Sequence, residues 1–402
     1  MAERVLTLGR RLPDAAVVGV VYVAARVVTT AFFLLAAALS GPGSRFGADA
    51  TIAELAIGWD GQWYWYAAVN GYPAELPLTA SGAVAENAWA FMPLYAYLSA
   101  GLGAVLGSWG AGAVVISLLA GYGACWALHR LLRARLGPAA SAWAVAFFAA
   151  GPLGALFQIA YAEALFVFLL LLALTCVVQR RYAWLYALVP VMGFTRPGIL
   201  AFALFLGLFG VWRWIRRRVE PLPVTEIVHI VALGALATAV GFAWQGIAAI
   251  VTGDPGAYLA TELAWRRNWI PDASGVFVPF EGFPAAAAFW FQAWGLNTVA
   301  GYVVLAALVV AVAAVLLFEP HVRRLGVEVR LWSAAYLVYL LAVFFPQSSI
   351  FRLLFPLAPL MGALAVPRSL AWRIGVLAAG LMGQWWWIYN MYALGNTYWQ
   401  IP

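Results

Sequence analysis

The 402-residue chain has no lysine, two cysteines and three histidines, and only 10% of it is charged. A soluble domain carries about 25% charged residues, so a water-soluble enzyme is excluded, as is a disordered chain. Cys125 and Cys176 both lie inside apolar runs. They offer neither a disulfide framework nor a thiolate metal site, and read as small packing residues. The apolar runs are continuous rather than alternating, which argues against a β-barrel. There is no phosphate-binding glycine loop.

What is present is apolar: 65% of the residues are hydrophobic, with a mean hydropathy of +0.89. The chain reads as an all-α polytopic membrane protein, and its length allows roughly ten to twelve helices. The formal charge of +7 is carried by arginines in short clusters between apolar runs. Such clusters set topology and do not call for a nucleic-acid partner. Arg4, Arg10 and Arg11 precede a long apolar run with no small-residue cleavage site, which predicts an uncleaved first span. The usage of Ala, Gly, Arg and Trp fits a GC-rich bacterial genome, hence a bacterial plasma membrane.

Eleven spans are predicted, at 15–39, 111–131, 139–157, 161–178, 182–195, 198–215, 225–251, 296–318, 331–346, 352–366 and 374–391. With the N-terminus cytoplasmic, 17 of the 23 arginines fall inside. Five fall outside (Arg45, Arg196, Arg266, Arg267 and Arg352), and Arg26 lies within the first span, where it is expected to snorkel. This alternation requires the Gly-rich stretch 91–107 to lie in or re-enter the outer interface rather than cross. The chain is then a single transmembrane domain, 1–402, with outer loops at 40–110 and 252–295.

Acidic residues follow the opposite bias. Asp49, Glu54, Asp60, Glu75 and Glu86 occupy the first outer loop, and Asp254, Glu262, Asp272 and Glu281 the second, with Glu163 at the outer end of a span. Chemistry is therefore expected on the outer face. Stretch 58–73, GWDGQWYWYAAVNGYP, reads as a turn that enters a short aromatic interfacial helix and stops at Asn70-Gly71-Tyr72-Pro73. Asp60 falls near its N-cap, either as a plain cap or as a base held ionised by the helix dipole. His129, His229 and His321 all map to inner span ends, so a base on the outer face has to be a carboxylate, with Glu163 and Glu86 behind Asp60. Asp60 has no neighbour at calcium-loop spacing, and no outer His or Cys could bind zinc. Arg196, before Pro197 at an outer span mouth, and Arg352 are the arginines placed to bind a phosphate, or else to anchor at the interface; Arg196 has the further option of pairing with Glu163. Arg266 and Arg267, in Trp265-Arg266-Arg267-Asn268-Trp269, could contact acceptor or lipid headgroup, but read more readily as exposed loop. Trp89, Tyr95, Trp265, Trp269, Tyr398 and Trp399 are sugar-stacking candidates, each equally explained as a membrane-belt residue.

Trp59-Asp60-Gly61-Gln62-Trp63-Tyr64 followed by Asn70-Gly71-Tyr72-Pro73 resembles the first-loop motif of PIG-V-type mannosyltransferases. These are GT-C glycosyltransferases related to the enzyme that adds the second mannose of GPI anchors. Phe91-Met92-Pro93-Leu94-Tyr95, Tyr161-Ala162-Glu163-Ala164-Leu165-Phe166, Thr195-Arg196-Pro197-Gly198 and Ser348-Ser349-Ile350-Phe351-Arg352 resemble later family elements in order. In the last, Leu353 stands where an aromatic is usual. The resemblance implies a GT-C fold and transfer of mannose, with inversion, from polyprenyl phosphate mannose. The acceptor, a glycolipid, glycan or protein, stays open. It implies Asp60 as the catalytic residue and no metal or other cofactor. Arg196 and Arg352 are then expected at the donor phosphate, and Trp59, Gln62, Tyr64, Glu86, Tyr161 and Glu163 around the substrate. Open alternatives are another lipid-phosphate sugar donor, a transporter or flippase, and an assembly subunit.

Overall fold

In hydrocarbon every backbone N–H and C=O has to pair within its own segment, so apolar runs of this kind resolve into helices broken by Gly and Pro. A computed structural model describes residues 13–267, 276–395 and 401–402. Among these residues helices dominate, and the extended pairing is one isolated bridge, Leu78 to Val84. Five helices are long and apolar enough to cross a membrane: α1 (Asp14–Leu39), Trp109–Ala149, Ile199–Arg216, Val224–Thr252 and Thr298–Phe318. The chain is thus an all-helical, membrane-embedded protein.

The second of these is two helices in one. Gly137, at φ 80° and ψ 171°, breaks it before Pro138, matching the boundary predicted between 111–131 and 139–157. The latter span is shorter than expected. Its helix stops at Ala149, because Gly151-Pro152 turns the chain into a 3₁₀ segment at Gly154–Phe157. That early stop explains Arg26. It does not snorkel to the surface but is buried in α1. Its guanidinium donates to the carbonyls of Ala149 and Gly154 and, at 3.2 Å, to Gln158 Oε1. A helix end leaves carbonyls without intrahelical partners, and here a buried arginine supplies the donors. The remaining predicted spans are occupied by shorter or less apolar helices, among them Glu163–Val178, Leu185–Gly193, Val327–Val343 and Leu370–Ile388.

Stretch 91–107 folds back rather than running the length of its neighbour. Its helix, Pro93–Leu106, makes a hairpin with the start of Trp109–Ala149. The Tyr95 hydroxyl reaches Ala113 O at 2.9 Å and Ser117 Oγ at 2.8 Å. Gly112 allows the close approach, since a Cβ there would collide with the backbone of Ser99 and Gly103. Lower on the same long helix, Arg133 pairs with Asp14 at the start of α1. The bundle therefore has two distinct ends. One gathers Asp14, Arg133, Arg135, Glu328, Arg180, Arg213 and Glu226 in ion pairs. The other carries the short helices Ile52–Ala56, Asp60–Asn70, Ala257–Arg267 and Gly282–Ala293.

Candidate functional site

The turn before helix Asp60–Asn70 is built to aim one carboxylate. Helix Ile52–Ala56 starts with a reciprocal capping box between Thr51 and Glu54. Three residues after that helix ends, Trp59 adopts φ 55°, a conformation that costs a non-glycine residue about 1–3 kcal/mol. Its indole holds it there, donating to Met391 O at 2.9 Å under the Arg45 guanidinium, 4.3 Å from the ring. Gly61 lets the turn rest on Ala160, whose Cβ would lie 3.2 Å from any added Cβ. Asp60 is not a cap. It is the first helical residue, and the helix has no side-chain cap bond. Trp59 holds the N-cap position, which releases the Asp60 carboxylate to point into the bundle.

There it meets three residues distant in sequence. Arg352 Nη1 donates to Asp60 Oδ2 and, at 3.0 Å, to Glu163 Oε1. Arg196 Nη2 lies 3.3 Å from the same Glu163 oxygen. The pairing of Arg196 with Glu163 was one of the options legible in the sequence; the bond from Arg352 to Asp60 was not. The Arg352 guanidinium also sits over the Tyr161 ring at 5.3 Å, and the Tyr161 hydroxyl accepts from Asp60 N at 3.4 Å. Side-chain exposure rises from 2% at Glu163 and 8% at Arg196 to 15% at Arg352 and 20% at Asp60. Asp60 is the member that a ligand can reach. Burial pushes its pKa above the ordinary aspartate value, the Glu163 charge adds to this, and Arg352 opposes it. Arg196 Nη1 and Arg352 Nε are buried without a hydrogen-bond partner among the described residues.

A cavity of about 460 Å³ opens beside this network, a volume suited to a small-molecule site. Asp60, Tyr64, Arg196 and Arg352 form its charged end. Leu200, Phe242, Leu340 and Val343, from helices of the bundle, form an apolar wall. A third wall comes from helix Ala257–Arg267 through Tyr258, Glu262, Trp265 and Arg266. Sequence reasoning counted Glu262 only as one of the outer acids. Burial pushes its carboxyl up to about 7, with Asp60 adding to the shift and the Tyr258 hydroxyl opposing it. The spacing of 258, 262, 265 and 266 on one helical face was the signal that could have found it. Arg266 is not exposed loop: its side chain is 11% exposed and lies 3.4 Å from Glu281. Arg267 turns to the Val84 carbonyl.

Other predicted residues fall elsewhere. Gln62 and Glu86 line a separate cavity of about 1390 Å³ across helix Asp60–Asn70. At 100° per residue Gln62 is about 200° around the helix from Asp60, whereas Tyr64 returns to the same face. Gln62 accepts a hydrogen bond from Arg45 at 3.3 Å. Trp59 serves the turn and Tyr161 backs the network; neither lines the Asp60 cavity. Trp89 and Tyr95 are core residues at 1% and 0% exposure, with their polar atoms bonded to Pro73 O and Ala113 O. Asp272, Trp269, Tyr398, Trp399, Arg4, Arg10 and Arg11 lie outside the described residues. Among the described residues no three His, Cys, Asp or Glu side chains gather as a metal site. His129, His229 and His321 sit away from the cavity, beside Asp14, Tyr186 and Glu319 respectively.

Fold and site together define the class: an all-helical membrane protein with a charged, amphiphilic cavity at one end of its bundle. Compared with models of protein families and with curated proteins, the chain matches none.

Proposed function

We propose that the protein is a GT-C-type glycosyltransferase that moves mannose from polyprenyl phosphate mannose to an acceptor hydroxyl, with inversion. The single observation that carries this is the composition of one cavity. A reachable carboxylate, two arginines with unpartnered N–H groups and an apolar wall meet there. A lipid-phosphate sugar needs all three. The prenyl chain lies along Leu200, Phe242 and Val343, the phosphate meets Arg352 and Arg196, and the anomeric carbon comes next to Asp60. Arginine suits the phosphate because its planar fork donates two parallel bonds.

In the transfer, the acceptor oxygen attacks the anomeric carbon, the bond from that carbon to the phosphate oxygen breaks, and the acceptor proton passes to Asp60. Polyprenyl phosphate departs with its charge held by the arginines, so a base is needed more than an acid. An incoming phosphate competes for Arg352, draws it off Asp60 and leaves the carboxylate available as base. Eleven crossings, a cytoplasmic N-terminus, helices 52–56, 60–70 and 93–106 at the membrane surface, and a site facing outward from a bacterial plasma membrane belong to the same proposal. Mannose as the sugar rests on the first-loop motif alone. Arg26, the ionisable residue within the first span, is occupied by carbonyls and does not line the cavity.

The test is transfer of labelled mannose from synthetic polyprenyl phosphate mannose by purified protein in lipid, with an envelope acceptor pool. Wild type is compared with Asp60→Asn. Transfer that is lost in a folded, donor-binding Asp60→Asn variant supports the proposal. Undiminished transfer removes Asp60 from its role. Failure of the wild type to bind donor removes the enzyme reading.

A further inference from the structure

The donor assignment uses two of the cavity's three walls and leaves helix Ala257–Arg267 without a role. Its cavity face is rigidly backed. The Trp265 ring packs edge-on against Trp63 at 5.7 Å and Phe91 at 6.0 Å. Arg266 is tied to Glu281 and lies over the Phe345 ring at 5.5 Å. Glu262 is different. Among the described residues it has no ion-pair partner. The groups that act on it are the Tyr258 hydroxyl, one turn back on the same helix, and the like charge of Asp60. Tyr64 and Tyr339 approach Tyr258 from the two facing elements, and neither brings a positive charge. A carboxylate offers about four acceptor sites, more than one neighbouring hydroxyl can fill. A carboxylate that lines a cavity without a cation calls for hydrogen-bond donors. The donor's anionic phosphate is the wrong chemistry for that; a second hydroxyl is the right one.

We propose, resting on the transfer reading above, that Glu262 is the acceptor-positioning residue: it accepts a hydrogen bond from a hydroxyl next to the one that attacks, and so aligns the attacking oxygen with Asp60. The acceptor class is then a polyol of the sugar type, which presents neighbouring hydroxyls across the two carboxylates. A lone serine or threonine hydroxyl satisfies Asp60 and leaves Glu262 unmet. Trp265 on the same wall gives such an acceptor an apolar face to pack on.

The probe is octyl α-D-mannoside, with its monodeoxy analogues and a Ser/Thr peptide as comparators, offered to the full chain in lipid nanodiscs. The isosteric Glu262→Gln is expected to raise the KM for the mannoside about tenfold, the loss of one hydrogen bond to a charged acceptor. The KM for donor stays within about twofold. One monodeoxy analogue should lose about tenfold with wild type and nothing further with Glu262→Gln. Glu262→Asp, which withdraws the charge by one methylene, should fall between. An unchanged acceptor KM, an equal rise in the donor KM, or a peptide used as well as the mannoside overturns the inference. If wild type transfers mannose to no probe, equilibrium dialysis of the mannoside decides. Binding kept by Asp60→Asn and lost by Glu262→Gln sustains the polyol wall while the transfer reading falls. No binding by wild type overturns the wall itself.

Discussion

Two arginine–carboxylate networks sit at opposite ends of this bundle, built from the same residue types. At one end Glu226 is surrounded. Arg213 Nε and Nη2 each meet it at 3.0 Å, Arg180 at 2.7 Å and the Tyr182 hydroxyl at 2.8 Å. The rest of Arg213 donates to Glu220 at 2.9 Å and the Pro221 carbonyl at 2.8 Å. Every guanidinium nitrogen of that arginine has a partner. At the other end Arg196 and Arg352 each keep a buried nitrogen without one, beside a cavity. Saturation marks a network that holds helices together; incomplete saturation facing a cavity marks one that waits for a ligand. The difference is invisible in residue type and lies entirely in the accounting of hydrogen bonds.

The largest effect should fall on the unsaturated network. Asp60→Asn keeps the shape and removes the base, so transfer falls by about 10²–10⁴-fold, measured by single-turnover mannose transfer, while the thermal unfolding curve stays in place. The mirror experiment is Arg213→Ala. It strips a buried carboxylate of two bonds, and with Arg180 still present the loss is about 3 kcal/mol of stability. A lower unfolding midpoint in lipid with unchanged activity per folded molecule checks it. Should Arg213→Ala abolish activity in a fully folded protein, or Asp60→Asn unfold it, the contrast between the two ends collapses.

A smaller effect sharpens the contrast within the site. Arg352→Lys keeps the charge and loses the planar fork. The KM for donor is expected to rise about tenfold, with Arg196→Lys giving less because Arg196 already leans on Glu163. Acidity provides a further handle. Asp60 has to be ionised to take a proton, and burial raises its pKa above the usual 3.8. The kcat/KM profile should therefore fall on acidification at a pH above that of an ordinary aspartate, about tenfold per unit below the midpoint. An acid limb at the ordinary value removes the burial from the account.

Much of the fold was legible because apolar runs and their breakers are local. Gly137-Pro138 separates two predicted spans, and Asn70-Gly71 ends the aromatic helix. What failed was also local in cause. The span predicted to 157 ignored Gly151-Pro152, and Arg26 was given an ordinary surface role because its partners, the carbonyls of 149 and 154, exist only once that helix stops. In the site, Asp60, Glu163, Arg196 and Arg352 could be picked out by charge bias at span ends. Their pairing could not, since 292 residues separate Arg352 from Asp60. Gln62 and Trp59 were grouped with Asp60 by proximity in sequence, and helical geometry turns Gln62 away from its cavity; Glu86, chosen as an outer carboxylate, lines the separate one. Glu262 was missed because 252–295 read as an outer loop, while Ala257–Arg267 within it is a helix lining the cavity.

Glu262 also gives the gentlest test, one that leaves catalysis aside. Its carboxyl ionises at about 7 in the folded chain against 4.5 for an unperturbed glutamate. A raised acid pKa means that the folded state holds its proton longer than the unfolded state does. Below about 4.5 both states are protonated and the residue is neutral to stability; as pH climbs from there to about 7 the unfolded state gains the advantage, and above 7 the full cost is present. Glu262→Gln removes that cost. The variant should unfold a few degrees above wild type at pH 8, and most of that gap should be gone by pH 5. Arg213→Ala should be destabilised at both pH values, since the arginine it removes stays charged at each. An unchanged midpoint for Glu262→Gln at pH 8 would mean that the carboxylate is well solvated, and the cost assigned to it would fall away. A higher midpoint together with a weaker acceptor is the trade expected of a residue kept for binding and not for stability.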